Sequence, residues 1–276
     1  MRRFGFLIVT IGFLITSCDS SKEAIKTNNN TPAPVVNAAE ANKTSAVLWQ
    51  QTSAEYEALC YQAFNIAKSK LEQNMQTSAD GRRNAVIMDL DETVIDNSPY
   101  NGRLILEDLK YDENTWAEWV NQAQAELVPG AREFILLAEE YAIPVYYISD
   151  RDINSLDATM QILKKAGIRT EPQMFFLKED PGIDGKEQRR KNVISDDIFV
   201  TMLIGDNLAD FHEAFESVKT VGGRKDVLAE LKDEFGDRFI ILPNVMYGDW
   251  DRALELDDPG TIQNSGRGKI KYLKRY

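Results

Sequence analysis

The sequence contains little histidine and little cysteine. His212 is the one histidine, and Cys18 and Cys60 are the two cysteines, in 276 residues. A general base supplied by histidine is therefore effectively unavailable, and we expect His212 to be structural. If Cys18 is modified, Cys60 has no partner and an intrachain disulfide is excluded. Because Cys60 lies among apolar residues, it is predicted to be a buried side chain rather than a nucleophile.

Basic residues are also in deficit. Lysine and arginine number 32 against 44 aspartates and glutamates, which gives a formal net charge of −12. This balance argues against a nucleic-acid polymer as partner, because phosphate backbones bind to basic faces. A small phosphate can still bind where a metal ion and a few lysines reverse the field locally. The hydrophobic fraction of 43% is typical of a globular protein with one large core.

Long apolar runs are absent except at the N-terminus. The run from Phe4 to Ile15 is too short for a permanent transmembrane helix, and its flanking residues predict a signal peptide over residues 1–17. The segment Leu14–Cys18 resembles a bacterial lipobox, which implies that Cys18 is lipidated. Residues 18–43 are rich in Ser, Asn, Thr, Ala and Pro and predict a flexible tether. Ordinary secretion with an incidental cysteine is the alternative.

Short apolar runs alternate with helical patterns through the rest of the chain. This alternation predicts an α/β fold with a Rossmann-like parallel sheet flanked by helices. Strands are predicted at Val86–Met88, Ile143–Ile148, Met174–Leu177, Ile198–Ile204 and Phe239–Pro243. Helices are predicted from Thr44 or Ser45 to Leu71 as one or two segments, and over Leu104–Ala125, Ala131–Tyr141, Ser155–Ala166 and Val227–Phe235, with a turn at Val221–Lys225.

Polar residues come directly after three of the predicted strands. Asp89 and Asp91 follow the first strand, and their spacing of two places both side chains on one face. Ser149 follows the second strand, and Asp206 follows the fourth. Asp210, four residues beyond Asp206, can lie near the same cation. Each residue alone could be a turn former or a cap, but their recurrence at strand ends favours one shared site.

Two of these segments also carry a family resemblance. The stretch Asp89–Val94, with Asn97 and Tyr100, and the stretch Ile204–Phe211 resemble the paired signature of the class C bacterial acid phosphatases. Those proteins are lipoproteins of the haloacid dehalogenase-like superfamily. The resemblance implies a haloacid dehalogenase-like core with a smaller, mainly helical cap. One departure is Asp150, where the family often has asparagine.

The resemblance implies a role for each matching residue. Asp89 would be the nucleophile that forms an aspartyl-phosphate, and Asp91 would be the general acid and base. Mg²⁺ would be held by Asp89, the carbonyl oxygen of Asp91 and Asp206, with Asp210 orienting the cluster. Ser149 and Lys186 would bind the phosphate oxygens, although a lysine in such a turn is usually only solvated. These implied roles involve Asp89, Asp91, Ser149, Lys186, Asp206 and Asp210.

By the same resemblance, two aromatic residues match family positions that sandwich a nucleoside base or another aromatic leaving group. They are Trp116 and Tyr247. Core packing is the alternative for Trp116, because Trp119 lies three residues away on the same predicted helical face.

The resulting hypothesis is an Mg²⁺-dependent acid phosphatase in residues 44–276. It would be lipid-anchored and extracytoplasmic in the cell envelope, with the outer membrane favoured. Nucleoside 5′-monophosphates are the favoured substrates, and a broad acid phosphatase is nearly as well supported. Phosphoryl transfer to an alcohol and a ligand-binding surface lipoprotein are the alternatives. The oligomeric state is left open, a dimer included.

Overall fold

The structure is a computed structural model that describes residues 38–75, 81–179, 185–194, 197–257 and 272–276. The predicted signal peptide, Cys18 and most of the predicted tether lie outside the described residues. None of the helices in the described ranges is long and apolar enough to span a membrane.

A five-stranded parallel sheet forms the centre of the fold. Its strands are β1 (Arg83–Met88), β2 (Val145–Asp152), β3 (Phe175–Lys178), β4 (Ile198–Gly205) and β5 (Phe239–Ile241). They are arranged in the order β3-β2-β1-β4-β5, so β1 is the central strand. The strands are apolar on both faces because helices cover both faces of a parallel sheet. The predicted α/β class with a parallel sheet is therefore confirmed.

Ten α-helices surround this sheet in the described residues. They are α1 (Ala38–Thr52), α2 (Ala54–Met75), α3 (Ser98–Leu106), α4 (Glu113–Gln122), α5 (Ala131–Glu140), α6 (Leu156–Lys165), α7 (Lys186–Val193), α8 (Glu213–Ser217), α9 (Val221–Leu231) and α10 (Asp249–Leu256). Helices α3 and α4 lie between β1 and α5 in the chain and form the small helical cap.

Alternate residues of β1 pack into two separate cores. Val86 and Met88 belong to the larger apolar cluster, which includes Phe64 of α2 and Phe134 of α5. Ile87 belongs to a second cluster on the other face of the sheet. This alternation follows from the period of two along a strand, and it holds the carboxyl end of β1 rigidly between two packed layers.

The predicted helix over Leu104–Ala125 is wrong as one element. The structure divides it into α3 and α4, with a loop between them. Asp108 in this loop has a φ of 54°, a left-handed conformation that ends the first helix. Asp112 then caps α4, because its Oδ1 accepts a hydrogen bond of 2.9 Å from the backbone N–H of Asn114.

Two other predicted boundaries differ from the structure. Helix α1 begins at Ala38 rather than near Thr44, because the alanine-rich segment before Thr44 continues the helix. The predicted turn at Val221–Lys225 is instead the start of α9. There the hydroxyl of Thr220 accepts a hydrogen bond of 3.2 Å from the N–H of Gly223, and this cap outweighs the two glycines.

Candidate active site

The carboxyl ends of the three central strands bring the predicted polar residues together. Asp89 follows β1, and its backbone N–H donates to the carbonyl of Ile204 in β4 at 2.9 Å. Asp206 directly follows β4, and Ser149 lies within the last half of β2. Open α/β sheets bind ligands at this edge. The arrangement therefore places all of these groups around one site.

Three carboxylates form the acidic part of this site. One oxygen each from Asp89, Asp206 and Asp210 lies within 4.8 Å of the others. Lys186, at the start of α7, contributes its Nζ, which lies 2.8 Å from Oδ1 of Asp89 and 2.5 Å from Oδ1 of Asp210. A single ammonium thus contacts two of the three acids.

The acidic part carries more negative charge than Lys186 compensates. Burial and then the charge of Asp210 raise the pKa of Asp206 to about 7. Burial also raises the pKa of Asp89 well above its usual value, against the lowering effect of Lys186. Although burial alone would lower the pKa of Lys186, Asp210 and Asp89 hold it well above its usual value. The ammonium therefore stays charged while the carboxylates repel one another.

This donor set fits a hard divalent cation. Carboxylate oxygens are the ligands that Mg²⁺ and Ca²⁺ prefer, and a second positive charge would relieve the repulsion described above. Asp206 is also oriented from outside the cluster. Its Oδ2 accepts from Nδ2 of Asn244 at 2.8 Å, and its Oδ1 accepts from the hydroxyl of Thr93 at 3.3 Å.

Asp210 is locked against the end of β4 by local geometry. The backbone N–H of Asn207 donates to Oδ2 of Asp210 at 2.9 Å, and the side chain of Asn207 caps the following short helix. Gly205 is required here because a Cβ at that position would clash with the Asp210 side chain. The predicted proximity of Asp206 and Asp210 is confirmed by this geometry.

Asp91 has different surroundings from Asp89. Its Oδ1 accepts three hydrogen bonds, from Nε of Arg151 at 2.9 Å, from Nη2 of Arg151 at 2.8 Å and from Nδ2 of Asn97 at 2.9 Å. Its Oδ2 accepts from the hydroxyl of Ser149 at 3.2 Å. Asp91 is thus oriented by donors on both oxygens.

Arg151 was not identified as a site residue from the sequence. Its side chain is 1% exposed, and its Nη1 donates to Oγ1 of Thr159 in α6 at 2.9 Å. A usable signal was present, since Arg151 lies two residues after Ser149 and shares its face of β2. An arginine at a strand end, facing two aspartates, indicates an ion pair.

Trp116 and Tyr247 reach the site from different elements. Trp116 of α4 packs edge-on against Tyr100, with ring centroids 5.2 Å apart, and the Arg151 guanidinium lies 5.9 Å from the centroid of the indole. The hydroxyl of Tyr247 donates to Oε1 of Glu92 at 2.7 Å. Trp116 therefore lies against Arg151, which contacts Asp91, and Tyr247 is held by Glu92, the residue that follows Asp91.

Trp119 and Glu92 are two further site residues that were not identified from the sequence. Trp119 donates from Nε1 to Oδ1 of Asn97 at 2.9 Å, so it holds the residue that orients Asp91. Glu92 is fully buried, and burial followed by the charge of Asp96 raises its pKa to about 8. Neither the contact of Trp119 with Asn97 nor the contact of Glu92 with Tyr247 was visible from the sequence, because each joins segments that only the tertiary fold brings together.

His212 and Cys60, the histidine and the cysteine within the described residues, have structural roles. Nδ1 of His212 accepts from the N–H of Ala214 at 3.2 Å and caps α8, as expected of a structural histidine. Cys60 is fully buried, and burial raises the pKa of its thiol to about 12. Such a thiol is a poor nucleophile, in agreement with the prediction.

The sequence and the fold are similar to those of known proteins. A family model described as HAD superfamily, subfamily IIIB (Acid phosphatase) matches residues 12–250. The structure of the class C acid phosphatase from Bacillus anthracis has 33% sequence identity and a TM-score of 0.77, covering 87% of this chain and 100% of that chain. The same enzyme with tungstate bound has 34% identity and a TM-score of 0.79 over the same shares.

A more distant similarity is found to a plant protein. The Stem 31 kDa glycoprotein of Glycine max is 25% identical over 130 residues, which is 45% of this chain and 50% of that protein. The chain thus spans half the length of that curated relative.

Proposed function

Because the chain belongs to HAD superfamily subfamily IIIB, the acid phosphatases, we propose that it hydrolyses phosphomonoesters through an aspartyl-phosphate on Asp89. The observation that carries this proposal is the pair of aspartates at the end of β1. Asp89 faces the ammonium of Lys186 at 2.8 Å, while Asp91 is oriented by Arg151 and Ser149. These different surroundings support the proposal that Asp89 attacks phosphorus and that Asp91 exchanges a proton.

In the proposed reaction, Asp91 is the only side chain that donates or accepts a proton, and it begins the cycle protonated. An Asp89 oxygen attacks phosphorus and the bond from phosphorus to the ester oxygen breaks. Asp91 donates its proton to that ester oxygen, which leaves as the alcohol. Asp91, now ionised, then takes a proton from a water molecule that attacks the aspartyl-phosphate. Phosphate leaves, Asp89 is regenerated and Asp91 is protonated again. Lys186 offsets the repulsion between Asp89 and the phosphate dianion throughout.

We propose Mg²⁺ as the divalent cation. Asp89, Asp206 and the backbone carbonyl of Asp91 would hold it, with Asp210 orienting the acidic cluster. When bound, the cation neutralises the phosphate oxygens during transfer. The mutual proximity of the three carboxylates supports this assignment.

Nucleoside 5′-monophosphates are the proposed substrates. Trp116 and Tyr247 would contact the base, and Ser149 together with Lys186 would bind the phosphate oxygens. The support for this proposal is that Trp116 lies against Arg151, a partner of Asp91, and that Tyr247 donates to Glu92, the residue after Asp91. Aromatic faces are suited to stacking on a base.

The location is proposed from the N-terminal motif. Cys18 would carry the lipid, and the mature protein would be anchored in the cell envelope facing away from the cytoplasm, in the outer membrane. Replacing Cys18 by Ala tests this assignment. The variant should be released from the membrane fraction, and a variant that still fractionates with membranes would exclude the anchor.

The activity is tested by phosphate release from a nucleoside monophosphate and from an aryl phosphate, with Mg²⁺ and with EDTA. We expect turnover that EDTA abolishes and a preference for the nucleotide. Asp89→Asn should lower kcat by about 10⁴-fold or more, because the nucleophile is lost. Asp226→Asn, on the exposed surface of α9, is the matched control and should behave like the parent. Equal turnover by Asp89→Asn and the parent would exclude Asp89 as nucleophile.

A further inference from the structure

Helix α1 contributes one polar side chain to the loop that follows Asp91. Gln50 is 4% exposed, and its Nε2 donates to Oε2 of Glu92 and to Oδ1 of Asp96, both at 2.8 Å. Both N–H bonds of the amide are therefore used on carboxylates. An amide in the reverse orientation would turn its oxygen toward two acids, so this arrangement is the favourable one.

The loop that Gln50 contacts is strained and brings two acidic side chains close together. Glu92 has a φ of 58°, a left-handed conformation that is costly for a residue with a side chain. Its Oε2 also accepts from the N–H of Asn97 at 3.3 Å, and Asp96 accepts from the N–H of Ser98 at 2.8 Å. Gln50 is thus a shared donor to the two carboxylates that shape this loop.

Two connections lead from this loop to the reacting groups. Asn97 donates from Nδ2 to Oδ1 of Asp91 at 2.9 Å, which orients the proposed acid and base. Glu92 accepts the hydroxyl of Tyr247 at 2.7 Å, which orients a proposed substrate contact. The fold also fixes α1 in place, since Val47 packs with Ile105 and Met246 in a small apolar cluster beside Tyr247.

We propose that Gln50 is a positioning residue for phosphomonoester hydrolysis. It acts through Glu92 on Tyr247 and through the loop and Asn97 on Asp91, so α1 is part of the catalytic apparatus rather than a packing element alone. This inference rests on the proposed function. Without Gln50, Glu92 and Asp96 lose their common donor, and the loop no longer holds Asp91 and Tyr247 together.

The test compares two neighbouring glutamines. Gln50→Met keeps most of the buried volume and removes both hydrogen bonds, whereas Gln51→Met alters an exposed residue on the same helix. For the full-length protein with Mg²⁺, we expect Gln50→Met to lower kcat/KM for a nucleoside monophosphate about tenfold, as loss of bonds to charged groups implies. Gln51→Met should behave like the parent.

A double mutant separates positioning from general loosening. Tyr247→Phe removes only the hydroxyl that contacts Glu92. Because Gln50 and Tyr247 share this partner, the loss in the double mutant should be smaller than the product of the two single losses. For a small alkyl phosphate, which has no base to contact, Gln50→Met should lower kcat and leave KM unchanged.

The outcomes separate the inference from the proposed function. An inactive parent would contradict the proposed function, whatever Gln50 does. An active parent with a fully folded Gln50→Met variant of parental kcat and KM would overturn the role of Gln50, as would strictly multiplicative losses with Tyr247→Phe. If Gln50→Met does not fold, Gln50→Asn keeps the amide but is too short to reach both carboxylates, and the same comparisons apply to it.

Discussion

The two aspartates at the end of β1 are separated by one residue, yet their surroundings are opposite in kind. The acid-rich half of the site contains Asp89, Asp206 and Asp210, with Lys186 as the cation that contacts them. The donor-rich half contains Asp91, whose oxygens accept from Arg151, Asn97 and Ser149. The first half has more negative charge than Lys186 compensates, whereas both carboxylate oxygens of Asp91 in the second half already accept hydrogen bonds.

This contrast supports the two proposed roles of one residue type. In the acid-rich half, the excess of negative charge favours an added cation, and Asp89, the proposed nucleophile, contacts Lys186. In the donor-rich half, directional hydrogen bonds set the orientation of Asp91, the proposed acid and base. Under this proposal, environment rather than residue identity distinguishes the nucleophile from the acid and base.

Removing the cation of the acid-rich half should have the largest effect. Lys186→Met leaves Asp89 facing an incoming phosphate dianion without compensation, and we expect kcat/KM to fall by about 10³-fold. Steady-state kinetics with saturating Mg²⁺ measure this loss. Lys225→Met, on exposed α9, is the control and should be silent. A loss below tenfold would mean that the added cation alone balances this half.

Removing the cation of the donor-rich half should cost less in rate and more in stability. Arg151→Met leaves a partly buried carboxylate without its ion pair, and we expect kcat to fall about 10²-fold and the free energy of unfolding by about 3 kcal/mol. Arg151→Lys should not restore the rate, because a lysine cannot reproduce the bonds from Nε and Nη2.

Denaturant unfolding and kinetics on the same samples test the prediction for Arg151. Arg252→Met, whose side chain is 80% exposed, serves as control. Full rescue by lysine would show that Asp91 needs only a nearby charge rather than a fixed orientation.

Metal affinity should depend on pH in the acid-rich half. In the metal-free protein the pKa of Asp206 is about 7, so protons compete with the cation below that pH. We expect calorimetry to show Mg²⁺ affinity falling roughly tenfold or more between about pH 8 and about pH 5.5, with protons released on binding. Since an acid whose pKa is raised by folding destabilises the fold as pH rises, the metal-free protein should lose stability from this group between about pH 4 and about pH 7.

A flat affinity over this pH range would contradict the account of an overcharged cluster. It would mean that Asp206 is ionised throughout and that Lys186 balances the cluster without help. The Asp206→Asn variant should remove most of the affinity and weaken its pH dependence, and the pH dependence that remains should come from Asp89.

The contrast also explains what could be predicted from the sequence. The acid-rich half was predictable because its residues follow buried strands directly, and short apolar runs ending in Asp89 and Asp206 locate a sheet edge. Local spacing was enough to bring Asp210 beside Asp206. The five strands were predictable for the same reason, since length and apolarity distinguish them.

The donor-rich half was largely hidden from the sequence. Arg151 reaches Asp91 through a long side chain, and Trp119 reaches Asn97 from the cap, so both contacts depend on tertiary packing. The division of residues 104–125 into α3 and α4 was missed because a left-handed Asp108 has no strong local signal. Gln50 contacts Glu92 from a helix that precedes the first strand, and no sequence spacing indicates such a pair.

The smallest predicted effect concerns the outermost contact of the donor-rich half. Trp119→Phe keeps an aromatic ring in α4 but removes the N–H that donates to Asn97 at 2.9 Å. Asn97 would still reach Asp91 with Nδ2 and Arg151 would still contact Asp91, so we expect kcat to fall only about threefold. Tyr61→Phe, at an exposed position of α2, is the aromatic control and should behave like the parent. A much larger loss would show that Asn97, rather than Arg151, determines the orientation of Asp91.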